Sequence, residues 1–226
     1  MPPAAFKDLC LDATDPRRSA SFWGPALGLR ADPRDDLVAL SGDKPEHRVW
    51  INPVPEPQTV KQRVHIDVNV AAVADLTALG ATVLDDTLPW TLMADPEGGE
   101  LCAFIRSPDD LGDYRLYEVV VDAADYLSIA RWWADRFGVE AHDEPEHAFA
   151  WIDDAPGLPF ELIFGFVPEP KTAKNRVHWD VWGDPEDFLA AGATLLRARD
   201  DQIEWDVLAD PEGNEFCVFR PAPEAG

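Results

Sequence analysis

The sequence has few basic residues and no long apolar segment, and both absences exclude classes of partner. Its 226 residues include 19 Lys and Arg against 43 Asp and Glu, for a formal net charge of −24. A field of this sign repels nucleic acid and anionic membranes, so neither is an expected partner. No apolar run approaches the ~20 residues that a membrane-spanning helix requires. The expected partner is a small molecule, neutral or cationic, although acidic charge also serves simply to keep a protein in solution.

Cysteine is also scarce, and the recognised catalytic motifs are missing. Three cysteines are an odd number, and Cys102 and Cys217 occupy matching positions of a repeat, which favours free thiols in a reducing cytosol over a disulfide framework. The opening segment, residues 1–5, lacks the basic and apolar regions of a signal peptide, so a cytoplasmic location is expected. No Gly-x-Ser-x-Gly, His-Glu-x-x-His or phosphate-binding glycine loop occurs, and no nucleophile–base pair is evident.

What the chain does have is one stretch that occurs twice. In the second half, Asn175–Asp180 leads to Asp210–Cys217, and in the first half Gln62–Asp67 leads to Asp95–Cys102. Both copies hold Gly-Ala-Thr and a tryptophan between these ends. A period close to half the chain indicates internal duplication.

The duplication predicts two domains of similar length. They comprise residues 1–106 and 114–226, joined by a linker at 107–113, and each is long enough for its own core. Each half begins with a strand and then a helix, which Asp15 and Asp125 are expected to cap. Short strands, a proline-rich connector, a histidine-containing strand, a second helix, an Asp-Pro-Glu-Gly turn and a last strand follow.

These paired motifs resemble the vicinal oxygen chelate superfamily, which includes glyoxalases, bleomycin-resistance proteins and extradiol dioxygenases. The residues that carry the resemblance are Phe22-Trp23, Arg63–Asp67 and Asp95–Gly98 in the first half, and Trp132-Trp133, Asn175–His178 and Asp210–Asn214 in the second. The resemblance implies an α+β fold of two tandem domains. Each domain would pair two βαβββ modules in a curled, half-open sheet, with ligand and metal inside the resulting cup.

The resemblance also implies four metal-ligand positions in each cup. They correspond to Glu118, Glu161, His178 and Cys217 in the second domain, and to Asp8, Arg48, His65 and Cys102 in the first. Arg48 has no lone pair to donate, so the first cup is expected to be metal-free, with an Asp8–Arg48 ion pair. The second set can hold a divalent metal, but it lacks a second histidine. His178 can equally be a hydrogen-bonded cup residue, and Cys217 a small buried one.

Strand parity and the distribution of tryptophan predict a ligand site in the second domain. Its expected lining residues are Glu161, His178, Asp180, Trp182, Trp205 and Cys217. Acidic groups beside indole faces suit an aromatic or cationic organic molecule, which indicates a binding protein of the bleomycin-resistance kind. The alternative is a metal-dependent lyase, isomerase or dioxygenase-type enzyme, with Glu161 and His178 as ligands and Glu118 as ligand or base. A third possibility is an interaction module without a small ligand. The chain is expected to be a monomer with two pseudo-symmetric domains or a homodimer.

Overall fold

The computed structural model describes residues 2–221, in which one βαβββ unit occurs four times as modules 1 to 4. Module 1 contains β1 (Ala4–Ala13), α1 (Pro16–Leu27), β2 (Arg30–Arg34), β3 (Leu37–Ser41) and β4 (Arg48–Pro53), and module 2 contains β5 (Val64–Val70), α2 (Val73–Ala78), β6 (Thr82–Asp85), β7 (Thr91–Ala94) and β8 (Glu100–Ile105). Module 3 contains β9 (Leu116–Ala123), α3 (Tyr126–Phe137), β10 (His142–Glu144), β11 (Phe149–Ile152) and β12 (Glu161–Phe166), and module 4 contains β13 (Val177–Gly183), α4 (Pro185–Ala190), β14 (Thr194–Arg197), β15 (Asp206–Ala209) and β16 (Glu215–Phe219). Met1 and Gly226, the outer ends of the two predicted domains, lie outside the described residues.

The longer helices begin where the sequence predicts, and each ends at a glycine. The side chain of Asp15 accepts a hydrogen bond from the backbone N–H of Arg18, and Asp125 does the same for Ser128. At the other ends, Gly28 and Gly138 close α1 and α3 with φ of 70° and 69°. A residue with a β-carbon is strained at such angles, which accounts for glycine at both stops.

The modules form two eight-stranded sheets, and the predicted fold class is confirmed. The terminal sheet has the order β14-β15-β16-β13-β1-β4-β3-β2 and combines modules 1 and 4. The central sheet has the order β10-β11-β12-β9-β5-β8-β7-β6 and combines modules 2 and 3. Antiparallel pairing of β1 with β13, and of β5 with β9, joins the modules.

The expectation that each half builds its own sheet is therefore wrong, because each sheet takes one module from each half. The physical reason lies in the duplication itself. β9 repeats β1 and β13 repeats β5, so the edge that β1 offers fits either β5 or β13, and strand patterns alone do not distinguish the two partners. Two proline-containing connectors, residues 54–63 and 167–176, carry the chain from one sheet to the other and back.

The repeated Asp-Pro-Glu-Gly turns hold the two modules of each half together. Glu97 of module 2 accepts hydrogen bonds from the backbone N–H groups of Thr14 and Asp15, at 2.8 Å each. Asp95 accepts one from the indole N–H of Trp23, at 3.1 Å. The second half repeats these contacts with Glu212, Asp210 and Trp133. Each turn thus connects the two sheets: the turn belongs to a module of one sheet, and the helix that it contacts belongs to a module of the other sheet.

One continuous hydrophobic core includes residues of all four modules. Its largest fully buried side chains include Phe22, Trp133, Trp179 and Phe216, which lie between helices and sheets. All three cysteines are buried and free, as predicted. In residues 2–221, no helix is both long and apolar enough to cross a bilayer.

Candidate functional site

Four side chains that bear acidic groups form a row across the middle of the central sheet. Strand register aligns Glu161 with Glu118, Glu118 with Asp67, and Asp67 with Cys102, so the row crosses β12, β9, β5 and β8. His65 lies two residues before Asp67 on the same face of β5. The opposite face of β5, with Val64, Ile66 and Val68 buried, packs into the core.

Aromatic side chains rise around this row and enclose a cavity of about 600 Å³, which we call the central cup. Trp90 stacks on Phe104 with 5.7 Å between ring centroids, and Phe104 meets Tyr117 edge-on at 5.1 Å. On the other side, Phe149 and Trp151 lie 5.7 Å apart. The charged residues that line the cup are Lys61, Asp67, Glu100, Glu118 and Glu161. The cup therefore combines indole and phenyl walls with an acidic floor.

Burial shifts the pKa values of the titratable groups in the cup toward their uncharged forms. It raises the pKa of Glu118 to about 7, against a hydrogen bond with Asp67 that opposes the rise. Burial and the neighbouring Glu118 charge raise the pKa of Asp67 well above its ordinary value. Burial likewise raises the pKa of Glu161 and of the Cys102 thiol, and lowers the pKa of His65 to about 4. At neutral pH the carboxyl pair of Asp67 and Glu118 thus holds a proton, and His65 is neutral.

His65, Asp67 and Cys102 also bring three metal-ligating atoms together. The Nε2 atom of His65 lies 3.3 Å from Oδ1 of Asp67 and 3.8 Å from Sγ of Cys102. The backbone N–H of Cys102 donates to the same Asp67 oxygen at 3.2 Å. All three ligand atoms lie within 4.8 Å of one another. Imidazole nitrogen, carboxylate oxygen and thiol sulfur are a donor set that suits zinc or a similar divalent metal.

The terminal sheet has the corresponding row, over a smaller cavity of about 260 Å³ that we call the terminal cup. Register aligns Asp8 with Asp180, and Asp180 with Cys217. Cys10, His178 and Asp180 bring their ligand atoms within 4.8 Å of one another. Burial raises the pKa of Asp180 to about 7 and that of Cys10 well above its ordinary value. Within the described part of the chain, Nδ1 of His178 and Oδ1 of Asp180 are buried without a hydrogen-bond partner.

A lysine of the protein already occupies the terminal cup. The Nζ atom of Lys7 lies 4.2 Å from the ring centroid of Phe219 and 5.3 Å from that of Trp182. It forms an ion pair with Asp8 and lies 3.9 Å from a carboxylate oxygen of Asp180. Lys7 faces the cup because the register of β1 shifts between Phe6 and Asp8. Such a shift re-aims the extra side chain.

The same register shift in β9 presents an uncharged residue to the central cup. There Asp67 pairs with Glu118 and Val68 pairs with Leu116. Tyr117 is the unpaired residue between them, so it is equivalent to Lys7 of β1. A guanidinium, that of Arg106, lies 4.7 Å from the centroid of Tyr117, but Arg106 does not line the cavity. The cation that lines the central cup is instead Lys61, which pairs with Asp122 at 2.7 Å and not with the carboxyl row.

The residues predicted for one site in the second half are divided between the two cups. His178, Asp180, Trp205 and Cys217 line the terminal cup, whereas Glu118 and Glu161 line the central cup with His65 and Cys102. Trp182 has the predicted parity but is 40% exposed, beside the terminal cavity and not in its lining. The proposed metal set of Glu118, Glu161, His178 and Cys217 is therefore wrong as a group. The exchange of modules between halves is the reason.

The predicted Asp8–Arg48 ion pair is also wrong. Asp8 pairs with Lys7, and the guanidinium of Arg48 lies 5.3 Å from the ring centroid of Trp50. The prediction followed the ligand positions that the resemblance implies, and a register shift that brings the neighbouring Lys7 onto the same face is not visible in a hydrophobic pattern.

Sequence reasoning missed most of the central cup. Asp67 is not one of the four predicted ligand positions of the first domain, although it lies on the same face of β5 as His65. The aromatic walls, Phe104, Tyr117, Phe149 and Trp151, were not predicted as a set. A usable signal existed for two of them, because Phe149 and Trp151 alternate with the buried Ala150 and Ile152 along β11.

Two open sheets, each built from two βαβββ modules and each bearing a cavity lined by its inner strands, define the architecture of the vicinal oxygen chelate superfamily. A sequence model of the glyoxalase-like domain matches residues 8–104 and 118–219, so the chain belongs to the glyoxalase-like family. No curated protein matches the sequence.

Solved structures share the fold across nearly the whole chain. Glyoxalase I from Zea mays is 14% identical, with a TM-score of 0.64 over 95% of this chain and 92% of the maize chain. A provisionally assigned dioxygenase from Bacillus subtilis subsp. subtilis str. 168 is 15% identical, with a TM-score of 0.61 over 97% of this chain and 86% of that one. At these identities the likeness extends to the fold alone.

Proposed function

We propose that the protein binds a flat organic cation in the central cup. The observation that carries this proposal is the carboxyl row of Asp67, Glu118 and Glu161 beneath walls of indole and phenyl rings. Aromatic faces attract cations through the ring quadrupole, and a desolvated cation gains about 2 kcal/mol from such a contact. A cavity of about 600 Å³ has the volume of a drug-sized ligand.

The terminal cup supports the proposal, because it contains an internal example of the same recognition. There an ammonium group lies over Phe219 and beside Asp8 and Asp180. In the central cup the equivalent strand position is Tyr117, so the cation would come from the ligand. The site that the sequence predicted in the second half is thus proposed for the central cup instead, with Glu161 as the residue common to both.

Ethidium, a flat aromatic cation, is a suitable probe, with pyrene sulfonate as an anion of comparable shape. We expect ethidium to bind with one-to-one stoichiometry by calorimetry and pyrene sulfonate not to bind. Glu161→Gln should weaken ethidium binding about five- to tenfold, on the order of 1 kcal/mol, because it removes a carboxylate from the cup. Glu140→Gln, an exposed change of equal charge, should leave the affinity unaltered. Equal effects of the two variants, or equal affinity for the two probes, would contradict the proposal.

A second candidate function is metal-dependent chemistry in the same cup, and the donor set of His65, Asp67 and Cys102 favours it. These residues would hold a divalent metal, which would supply Lewis-acid activation of an oxygen on a bound organic molecule. The chain's own contribution would be proton transfer by Glu118, whose pKa of about 7 suits a general acid or base at neutral pH. The raised pKa of the Cys102 thiol means that metal binding would release a proton.

Cobalt(II) provides a spectroscopic test that does not depend on activity. If the central cup holds the metal, added Co²⁺ should produce a thiolate-to-cobalt charge-transfer band in the near ultraviolet. Cys102→Ser should abolish the band, whereas Cys217→Ser, the equivalent change in the terminal cup, should retain it. The terminal cup is the poorer site because the ammonium of Lys7 lies 3.9 Å from Asp180 and repels a second cation. A band that survives Cys102→Ser would reject this metal site.

A further inference from the structure

A third cavity, of about 530 Å³, lies between the two connectors that link the sheets. Its lining comes from residues 58–63 of the first connector and 167–176 of the second. We call it the connector pocket. It is separate from both cups, although Lys61 lines the connector pocket and the central cup alike. Because the connectors are copies of each other, the pocket receives the same residue types from two sides.

The pocket is basic in a protein that is strongly acidic. Five charged residues line it, and four of them are cations: Lys61, Arg63, Lys174 and Arg176, against the single acid Glu169. Elsewhere in the chain, acidic residues outnumber basic ones by more than two to one. A concentration of positive charge inside such a negative field is expected where an anion has to be bound against general repulsion.

The surrounding carboxylates pair with three of the four pocket cations. Lys61 and Arg63 share Asp122, with N–O distances of 2.7 and 3.9 Å, and Lys174 pairs with Asp12. Arg176 instead donates to the backbone carbonyls of Asp12 and Glu56 and to the side chain of Gln58. Arg176 is therefore the pocket cation that forms no ion pair with a carboxylate in the described residues.

One hydrogen-bond donor of the pocket also lacks an acceptor. The Nε atom of Arg63 is buried and has no hydrogen-bond partner in the described residues. The side chains of Lys61 and Lys174 are 56% and 58% exposed, so both ammonium groups can turn toward a ligand. The planar guanidinium fork of arginine matches carboxylate and phosphate oxygens in pairs. Aliphatic walls, from Val60, Val167, Pro170 and Ala173, complete the pocket.

We propose that the connector pocket binds an organic anion, with its carboxylate or phosphate group against Arg63 and Arg176 and a small apolar body against the aliphatic walls. Lys61 also lines the central cup, but Arg63 and Arg176 line neither cup, so the proposal stands or falls independently of the cation-binding function.

Calorimetric titration with benzoate and with phenyl phosphate tests the proposal and distinguishes the two head groups. We expect saturable one-to-one binding of at least one probe. The double variant Lys61→Gln/Lys174→Gln should weaken it about tenfold, because two cations leave the pocket. The control is Arg17→Gln/Arg18→Gln, which makes the same charge change on the exposed face of α1 and should alter the affinity less than twofold. Absence of saturable binding, or equal losses in the two double variants, would overturn the proposal.

Hydrogen exchange on the unaltered protein gives a result that does not depend on how well any variant folds. A bound anion that bridges the connectors should slow exchange of backbone amides in residues 58–63 and 167–176 and leave the strands of both cups unchanged. Added benzoate or phenyl phosphate that protects neither connector at saturating concentration would also overturn the proposal. Exchange slowed only in the cups would assign the anion to a different site.

Discussion

Trp133→Ala is expected to lower the free energy of unfolding by about 3–5 kcal/mol, the largest effect of any single change considered for this protein. Trp133 is fully buried, with ring centroids of Trp179 and Phe216 at 5.0 and 4.9 Å. Its indole N–H donates to Asp210 at 3.1 Å, so truncation also removes a hydrogen bond from a buried carboxyl group. Because α3 belongs to module 3 and Asp210 to module 4, the change weakens a contact between the two sheets.

Trp90→Ala is the matched control for that change. Trp90 is 37% exposed and lines the central cup, so its removal should alter unfolding by less than about 1 kcal/mol. Chemical denaturation monitored by circular dichroism measures both variants. The two variants should differ in what they lose: Trp133→Ala should lose stability, and Trp90→Ala should lose ethidium affinity. A Trp133→Ala variant with the stability of the unaltered protein would show that the inter-module tie is dispensable.

The amino-acid sequence predicts the elements of this fold well, because their signals are local. Asp15 and Asp125 cap helices, Gly28 and Gly138 stop them, and the Asp-Pro-Glu-Gly turns precede the last strands, all within a few residues of chain. The choice of partner for β1 is different in kind. Its two candidate partners are copies of each other, so pairing is decided by the path of the connectors and the ties between modules, which no local pattern encodes.

The composition of each cup follows from that choice. Parity correctly identifies His178 and Cys217 as sharing a cavity, because both lie in module 4 and their strands are neighbours. The ligand positions that the resemblance implies fail for Glu118 and Glu161, which belong to module 3 and therefore to the other sheet. Both β1 and β9 contain the same register shift, and the cups differ in the residue that it presents, which is Lys7 in β1 and Tyr117 in β9.

Raising the pH from 6 to 8 is expected to lower the stability of the protein while raising the affinity of the central cup for ethidium. Glu118 and Asp180 have pKa values near 7 in the folded state, above the ordinary carboxyl range, because they are buried. Between the ordinary and the raised pKa, the folded protein binds protons that the unfolded chain does not. Stability is therefore greatest at the acidic side of this window and is lost as pH rises through about 7.

Each carboxyl group of this kind contributes up to about 1.4 kcal/mol per pH unit within its window. His65 acts in the opposite sense: its pKa is lowered to about 4, so the unfolded chain takes up a proton first as pH falls below the ordinary histidine range. Because one histidine offsets only one of the two carboxyl groups, the melting temperature should rise as the pH falls from 8 to 5, and His65 should reduce this gain below the ordinary histidine pKa. Thermal denaturation between pH 5 and 8 measures this, and a melting temperature that rises steadily toward pH 8 would contradict the assigned protonation.

Affinity responds to the same ionisation with the reverse sign, because a bound cation competes with the proton of Glu118. Since that pKa is about 7, the ionised fraction rises about tenfold from pH 6 to pH 8, and the affinity for a permanently charged probe should follow. Glu118→Gln should abolish the pH dependence of binding, whereas Asp180→Asn should flatten only the stability profile. Glu118→Gln also removes a charge that raises the pKa of Asp67, so that pKa falls in this variant alone, whereas Glu161 and Lys61 are unchanged in both. The stability trend and the affinity trend of Glu118 have one cause. Burial makes the ionised form of its carboxyl group unfavourable at neutral pH, and a cation bound in the cup stabilises that form.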